Sequence, residues 1–153
     1  MAFDLLEELA RIVGALDGAQ ISYAICGGVA MAIHGVPRAT QDIDLLAPEE
    51  DIDGIRTAVV GCGFLFESLP MTFSSSGITI QRFTKLVDAQ PLMFDVLFAG
   101  GPLAAVWADR QKVRWRGGEV SVVSRAGLIS LKLAAGRPQD IADVQRLKEL
   151  ERG

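Results

Sequence analysis

Two apolar segments of this chain carry acids that an apolar β-strand tolerates poorly. Asp42-Ile-Asp-Leu-Leu46 reads as a short strand, and Leu92-Met-Phe-Asp-Val-Leu-Phe98 as another, with Asp95 at its centre. Residues i and i+2 of a strand share a face, so Asp42 and Asp44 aim two carboxylates at one spot while Ile43 points the other way. Strands disfavour Asp. Two like charges on one face resist desolvation unless a cation joins them. A bare Asp-x-Asp is equally compatible with a solvated loop that caps a turn. Asp95 shifts that balance, because a carboxylate among Leu, Met, Phe and Val needs a partner or a task. An edge-strand position or an arginine ion pair would satisfy it structurally. If its strand lies beside the Asp42–Asp44 strand, three carboxylates converge. That arrangement suits Mg²⁺ (or Mn²⁺), usually held by one or two carboxylates plus substrate phosphates, and two-ion activation of an attacking oxygen.

The other elements follow from periodicity and breakers. Residues 4–17 read as an amphipathic helix with Asp4 as N-cap and Glu7 at the capping-box position. Ile21–Cys26 reads as a buried strand broken by Gly27-Gly28, and Val29–Ile33 as a short helix ended by Gly35-Val-Pro37. Pro48 and the acids after it open a helix to about Gly61. Phe64–Glu67 and Gly77–Leu86 are expected as strands, with Ser74-Ser75-Ser76 in a loop before the latter. Gly101–Arg110 is expected as a short helix. Lys112–Arg116 and Glu119–Val123 read as a hairpin turning at Gly117-Gly118. Ser124 caps a helix through Ala135, and Pro138 opens a last one to about Leu150. Without a regular βαβ repeat the class is α+β (mixed α/β).

A length of 153 residues supplies one domain, and 50% apolar against 22% charged residues supplies a core. The expected organisation is a single domain over 1–153: an N-terminal helix over 1–18, a catalytic core over 19–123 and C-terminal helices over 124–153. A net charge of −4 argues against gripping duplex DNA by charge. No apolar run reaches the roughly 20 residues of a membrane span. The acids in the first residues are unlike a signal peptide, so the expectation is a cytoplasmic protein without a membrane partner. Cys26 and Cys62 sit in apolar surroundings and read as small buried hydrophobes. One histidine, His34, excludes mechanisms that need two imidazoles.

Gly27-Gly28, ending a strand and opening a helix, presents backbone N–H groups that a phosphate can approach closely, although Gly-Gly also serves as a plain tight turn. Gly27-Gly28, then Asp42-Ile-Asp44, then Asp95 resembles the signature of the polymerase-β-type nucleotidyltransferase superfamily. The string from Gly27 to Leu46 is most similar to its minimal bacterial AbiEii-like branch. In that branch a late helical segment carries a Lys, an Arg and then Asp residues, as Lys132, Arg137, Asp140 and Asp143 do here. The resemblance covers roughly residues 20–147. It implies the nucleotidyltransferase fold, a mixed, mostly antiparallel sheet flanked by helices. It also implies transfer of a nucleoside monophosphate from an NTP, with ATP the expected one, to a hydroxyl of tRNA, a protein or a small molecule. Asp42, Asp44 and Asp95 would be the catalytic and metal residues, with Asp95 a general base or third ligand. Gly27 and Gly28 would face the triphosphate. Many members belong to toxin–antitoxin pairs, and AbiEii-like proteins are usually longer. The acceptor site here is therefore expected to be short or completed by a cognate partner chain.

Further candidates carry a bland reading beside the functional one. Arg38 and Thr40, between the glycines and the acids, are candidate nucleotide-binding residues or a solvated loop. Lys132, in an otherwise apolar helix, either reaches the triphosphate or pairs with Asp140 or Asp143. His34 reads as a cap or packing residue. Arg114-Trp115-Arg116 reads as a core Trp with a solvated Arg face. Ile141, Val144 and Leu147 read as a core stripe. The competing function is a catalytically weak copy of the fold acting as a binding module or antitoxin. A metal nuclease lacks the Lys or His usually found beside such acids.

Overall fold

The computed structural model describes residues 4–37 and 39–152. Arg38 therefore lies outside the described residues. Helix α1 (Leu5–Gly18) starts at Asp4, whose side chain accepts from the Glu7 N–H at 3.2 Å. Strand β1 (Ala24–Cys26) runs directly into helix α2 (Gly27–Ile33). Strand β2 (Asp42–Ala47) is followed by a 3-10 turn and helix α3 (Ile52–Val60). Short strands β3 (Phe66–Glu67) and β4 (Met71–Thr72) precede the long hairpin of β5 (Thr79–Val87) and β6 (Gln90–Phe98). A 3-10 turn and helix α4 (Ala104–Ala108) lead to strands β7 (Gln111–Trp115) and β8 (Gly118–Val122). Helices α5 (Arg125–Ala135) and α6 (Pro138–Arg152) close the chain.

The strands form one mixed, mostly antiparallel sheet in the order β3-β5-β6-β2-β1-β8-β7, with β4 also paired to β5. The β2–β6 and β1–β8 pairs are parallel. The first strand is shorter than Ile21–Cys26, and β4 was not expected from the sequence. The β7–β8 turn falls on Arg116-Gly117, both at positive φ, rather than on Gly117-Gly118. Arg116 thus leaves the strand, lies over the Trp115 ring and pairs with Glu7, so it does not share a solvated face with Arg114.

Burial sorts the sheet by face. Ile43, Leu45, Phe94 and Val96 are buried on the side that faces away from the acids, with Leu9, Ile12 and Leu16 of α1 and Ile55 and Val59 of α3 in the same core. Phe94 lies 5.8 Å from the rings of both Phe83, stacked, and Phe64, edge-on. Buried Glu8 accepts from Lys85 at 2.8 Å, fastening α1 to β5. Cys26 is buried as expected, whereas Cys62 is half-buried. His34 is the C-cap of α2, and its Nε2 lies 2.7 Å from the Val123 carbonyl oxygen, tying α2 to the end of β8. Val144 and Leu147 are buried but Ile141 is 49% exposed, so the stripe on α6 is narrower than expected. Among the described residues, no helix is long and apolar enough to cross a membrane.

Phe94 has no exposed surface and two aromatic neighbours. Phe94→Ala should lower unfolding stability by about 3–5 kcal/mol, the cost of an aromatic cavity. Urea denaturation followed by circular dichroism measures it.

Candidate active site

The parallel pairing of β2 with β6 sets Asp44 directly against Asp95, with Asp42 against Met93. On β5, the antiparallel register sets Arg82 against Asp95 and Ile80 against Leu97. Alternation places Asp42, Asp44, Asp95, Arg82, Ile80 and Leu97 on the sheet face opposite the aromatic core. A cavity of about 420 Å³ opens over that face. Helix α5 contributes Leu128, Leu131 and Lys132 to its wall, and the turn before β5 contributes Phe73, Ser75 and Ser76. The expected convergence of the three acids, and the reach of Lys132 into the same cavity, are both present.

The glycines are fixed by space. Gly27 has φ +69, a region that favours glycine, and a Cβ there would collide with the Asp44 carboxylate. A Cβ on Gly28 would lie 2.7 Å from Cβ and Oγ1 of Thr40. Thr40 in turn donates to the Asp42 carbonyl oxygen at 3.3 Å. Gly27 lines the cavity beside Asp44, whereas Thr40 packs behind Gly28 and holds the start of β2. These contacts let the β1–α2 turn press against β2.

Charge is unevenly distributed across the acids. Asp95 is buried, and both of its oxygens are taken by Arg82, with Nε to Oδ1 at 2.8 Å and Nη2 to Oδ2 at 2.9 Å. The arginine pair weighed for Asp95 from the sequence is therefore present together with the carboxylate cluster. The carboxylates of Asp42 and Asp44 accept no hydrogen bond from a described residue. Burial, then the neighbouring charges of Asp95 and Asp42, push the Asp44 pKa up to about 7, against the opposing pull of Lys132 and Arg82. Burial and Asp95 likewise raise that of Asp42. Burial, then the charge of Asp44, pushes the Cys26 thiol well up, so it stays protonated and inert.

The opposite wall carries two cations, each held by buried acids. The Lys132 ammonium lies 3.1 Å from Asp143 and 3.6 Å from Asp140, both buried carboxylates at the start of α6. Arg137 holds Asp140 through Nε at 2.7 Å and Nη2 at 3.2 Å, and its backbone N–H donates to the same carboxylate. Asp140 and Asp143 thus anchor the two cations rather than simply answering the helix dipole.

Asp42 and Asp44, hard oxygen donors on one face and without a hydrogen bond from a described residue, are the donor type Mg²⁺ takes when substrate phosphates complete its shell. They fit such an ion. Among the described residues, no three His, Cys, Asp or Glu side chains form a ready-made cage. Arg82, Phe73 and Ser75 were not foreseen as site residues. Arg82 faces Asp95 through the Asp88-Ala89 turn, whose two residues both have positive φ and set the β5–β6 register.

No protein-family model matches the sequence, and no curated protein sequence matches it. Solved structures do. A Thermotoga maritima protein, TM1012, assigned as a nucleotidyltransferase, superposes with a TM-score of 0.66 at 19% identity, over 97% of this chain and 93% of its own. ANT(2″)-Ia, solved in complex with adenylyl-2″-tobramycin, gives 0.62 at 19% identity, over 97% and 89%. The lincosamide antibiotic adenylyltransferase LnuA, bound to lincomycin, gives 0.60 at 12% identity, over 93% and 95%. The mixed, mostly antiparallel sheet with its flanking helices is the nucleotidyltransferase fold.

Proposed function

We propose that this chain is a metal-dependent nucleotidyltransferase that moves a nucleoside monophosphate from an NTP, ATP first among them, to a hydroxyl acceptor. The observation that carries the reading is the β2–β6 pairing, which brings Asp42, Asp44 and Asp95 to one face beneath a cavity walled by Lys132 and Arg137. The acceptor oxygen attacks the α-phosphorus, the bond from that phosphorus to the β-phosphate's bridging oxygen breaks, and pyrophosphate leaves. Mg²⁺ or Mn²⁺ at Asp42 and Asp44 would supply neutralising charge to the phosphates. Lys132 offers a cation held by Asp140 and Asp143 to the departing phosphates, and Arg137 a second, more exposed one held by Asp140. Gly27 leaves the approach to Asp44 free of a side chain. Asp95 takes the hydroxyl proton or completes the metal shell.

Membership of the AbiEii-like branch, a cytoplasmic setting, and an acceptor that is a tRNA, a protein or a small molecule belong to the same proposal. So does a role in a toxin–antitoxin module. A run of exposed apolar residues (Leu65, Phe66, Leu69, Met71 and Phe73) gives an acceptor or partner chain apolar surface to cover, and Phe73 reaches the cavity itself.

Calorimetry should show Mg²⁺–ATP binding to the wild-type chain and its loss in the Asp42→Asn, Asp44→Asn double variant. Equal affinity in the two proteins would remove the assignment. Asp95→Asn should abolish label transfer from ATP to bulk tRNA or lysate, with a rate loss of about 10²–10⁴ or more. ATP affinity within a few-fold of wild type would mark Asp95 as the base, and its collapse would mark Asp95 as a ligand.

Stability without metal carries the signature of Asp44. With its folded pKa near 7 and an ordinary value of 3.8 when unfolded, the folded state holds the extra proton between those limits. Stability therefore falls as pH rises through that window. Metal-free protein should be more stable at pH 5 than at pH 8, by ~1–3 kcal/mol after allowing for the solvent that reaches this half-buried group. Asp44→Asn should flatten the dependence in chemical denaturation.

A further inference from the structure

We propose that Arg82 is the resident counter-cation of the carboxylate cluster and that it competes with a divalent cation for Asp95. The inference rests on the nucleotidyltransferase reading and concerns how that site is loaded.

Three observations support it. First, the Arg82 fork takes both Asp95 oxygens, at 2.8 and 2.9 Å, on the carboxylate that lies directly across the β2–β6 pair from Asp44. Second, Arg82 is not packed away: its side chain is 45% exposed and lines the cavity, while the Asp95 side chain is 9% exposed. A guanidinium with this much solvent contact can withdraw without opening the core. Third, among the described residues Arg82 is hydrogen-bonded to one acid of the three, and the carboxylates of Asp42 and Asp44 accept no hydrogen bond.

The ion pair therefore does two opposed things. It compensates the charge of a buried carboxylate, which is costly to leave unpaired. It also places a fixed positive charge where an incoming cation must compete with it. Loading requires the Nε–H and Nη2–H bonds to Asp95 to loosen, after which the guanidinium is free at the cavity wall. Arg82 is thus a positioning residue that acts through Asp95.

The test uses the full chain and Mn²⁺ alone, without nucleotide, with affinity read by electron paramagnetic resonance. Arg82→Gln should bind Mn²⁺ more tightly than wild type, by roughly tenfold, the size of one pKa unit of charge interaction. Arg82→Lys, which keeps the charge but loses the fork, should fall between them. A merely structural arginine predicts the reverse, because a damaged site binds metal less well. Equal or weaker Mn²⁺ binding by Arg82→Gln would overturn the proposal.

A second measurement needs no variant. Titration of wild-type protein with Mg²⁺ should speed hydrogen exchange at the Arg82 Nε–H in ¹⁵N NMR as its bond to Asp95 loosens. An Nε–H that stays protected while the Gly27 amide reports saturation would also overturn it. A Gly27 amide that fails to move with Mg²⁺, with or without ATP, fails the nucleotidyltransferase reading itself and this inference with it.

Discussion

The parallel contact between β2 and β6 is the constraint on which the site depends. It is a pairing between strands far apart in the chain, Asp42–Ala47 and Gln90–Phe98, and its register decides which side chains meet. A shift of one residue would put Asp95 on the aromatic face and Phe94 among the carboxylates. The aromatic cluster prevents that slip. Phe94 is held between Phe83 and Phe64, and Ile43 beside it has no exposed surface. Packing on one face of the sheet thus fixes the chemistry on the other.

Around that contact, each neighbour answers a demand made by crowded acids. Gly27 removes the side chain that would strike Asp44, and its positive φ turns the chain from β1 into α2 within one residue. Arg82 supplies one positive charge on the sheet. Further positive charge comes from another layer, at α5 and the turn that follows it, where Lys132 pairs with Asp140 and Asp143 and Arg137 with Asp140. Asp44, with no hydrogen bond from a described residue, has its pKa raised to about 7. A site built this way is electrostatically incomplete, which is the condition a phosphate-bound cation relieves.

Much of this was legible in the sequence because the signals were local. Asp-x-Asp in a strand, Gly-Gly at a strand–helix junction, Asp4 and Ser124 as N-caps and Pro138 at a helix start each act within a few residues. Asp95 was legible through its apolar neighbours. Arg82 was not, because its importance lies in a cross-strand register. That register follows from a two-residue turn at Asp88-Ala89, an unusual pair in which Ala89 takes a positive φ that alanine rarely adopts. The hairpin strands, read as Gly77–Leu86 and Leu92–Phe98, left the turn undefined and hence the partner of Asp95 open. Strand β4 is two residues long and leaves no periodicity to read, whereas Ile141 keeps helical spacing yet faces outward, so its periodicity misleads.

The two walls of the cavity differ in how they hold charge, and the difference bears on how the site works. Lys132 is 11% exposed at its side chain and faces two buried carboxylates, so it is rigid and its charge is permanently positioned. Arg82 is 45% exposed and holds one carboxylate that the proposed chemistry also uses. A rigid cation suits the phosphate side, where charge develops on a leaving group and reorganisation during the reaction would cost rate. A removable cation would suit the sheet side if, as proposed, the same carboxylate is kept satisfied before loading and released after it. The proposed division of tasks would rest on Arg82 standing on a strand open to the cavity and Lys132 standing on α5 against the buried acids of α6.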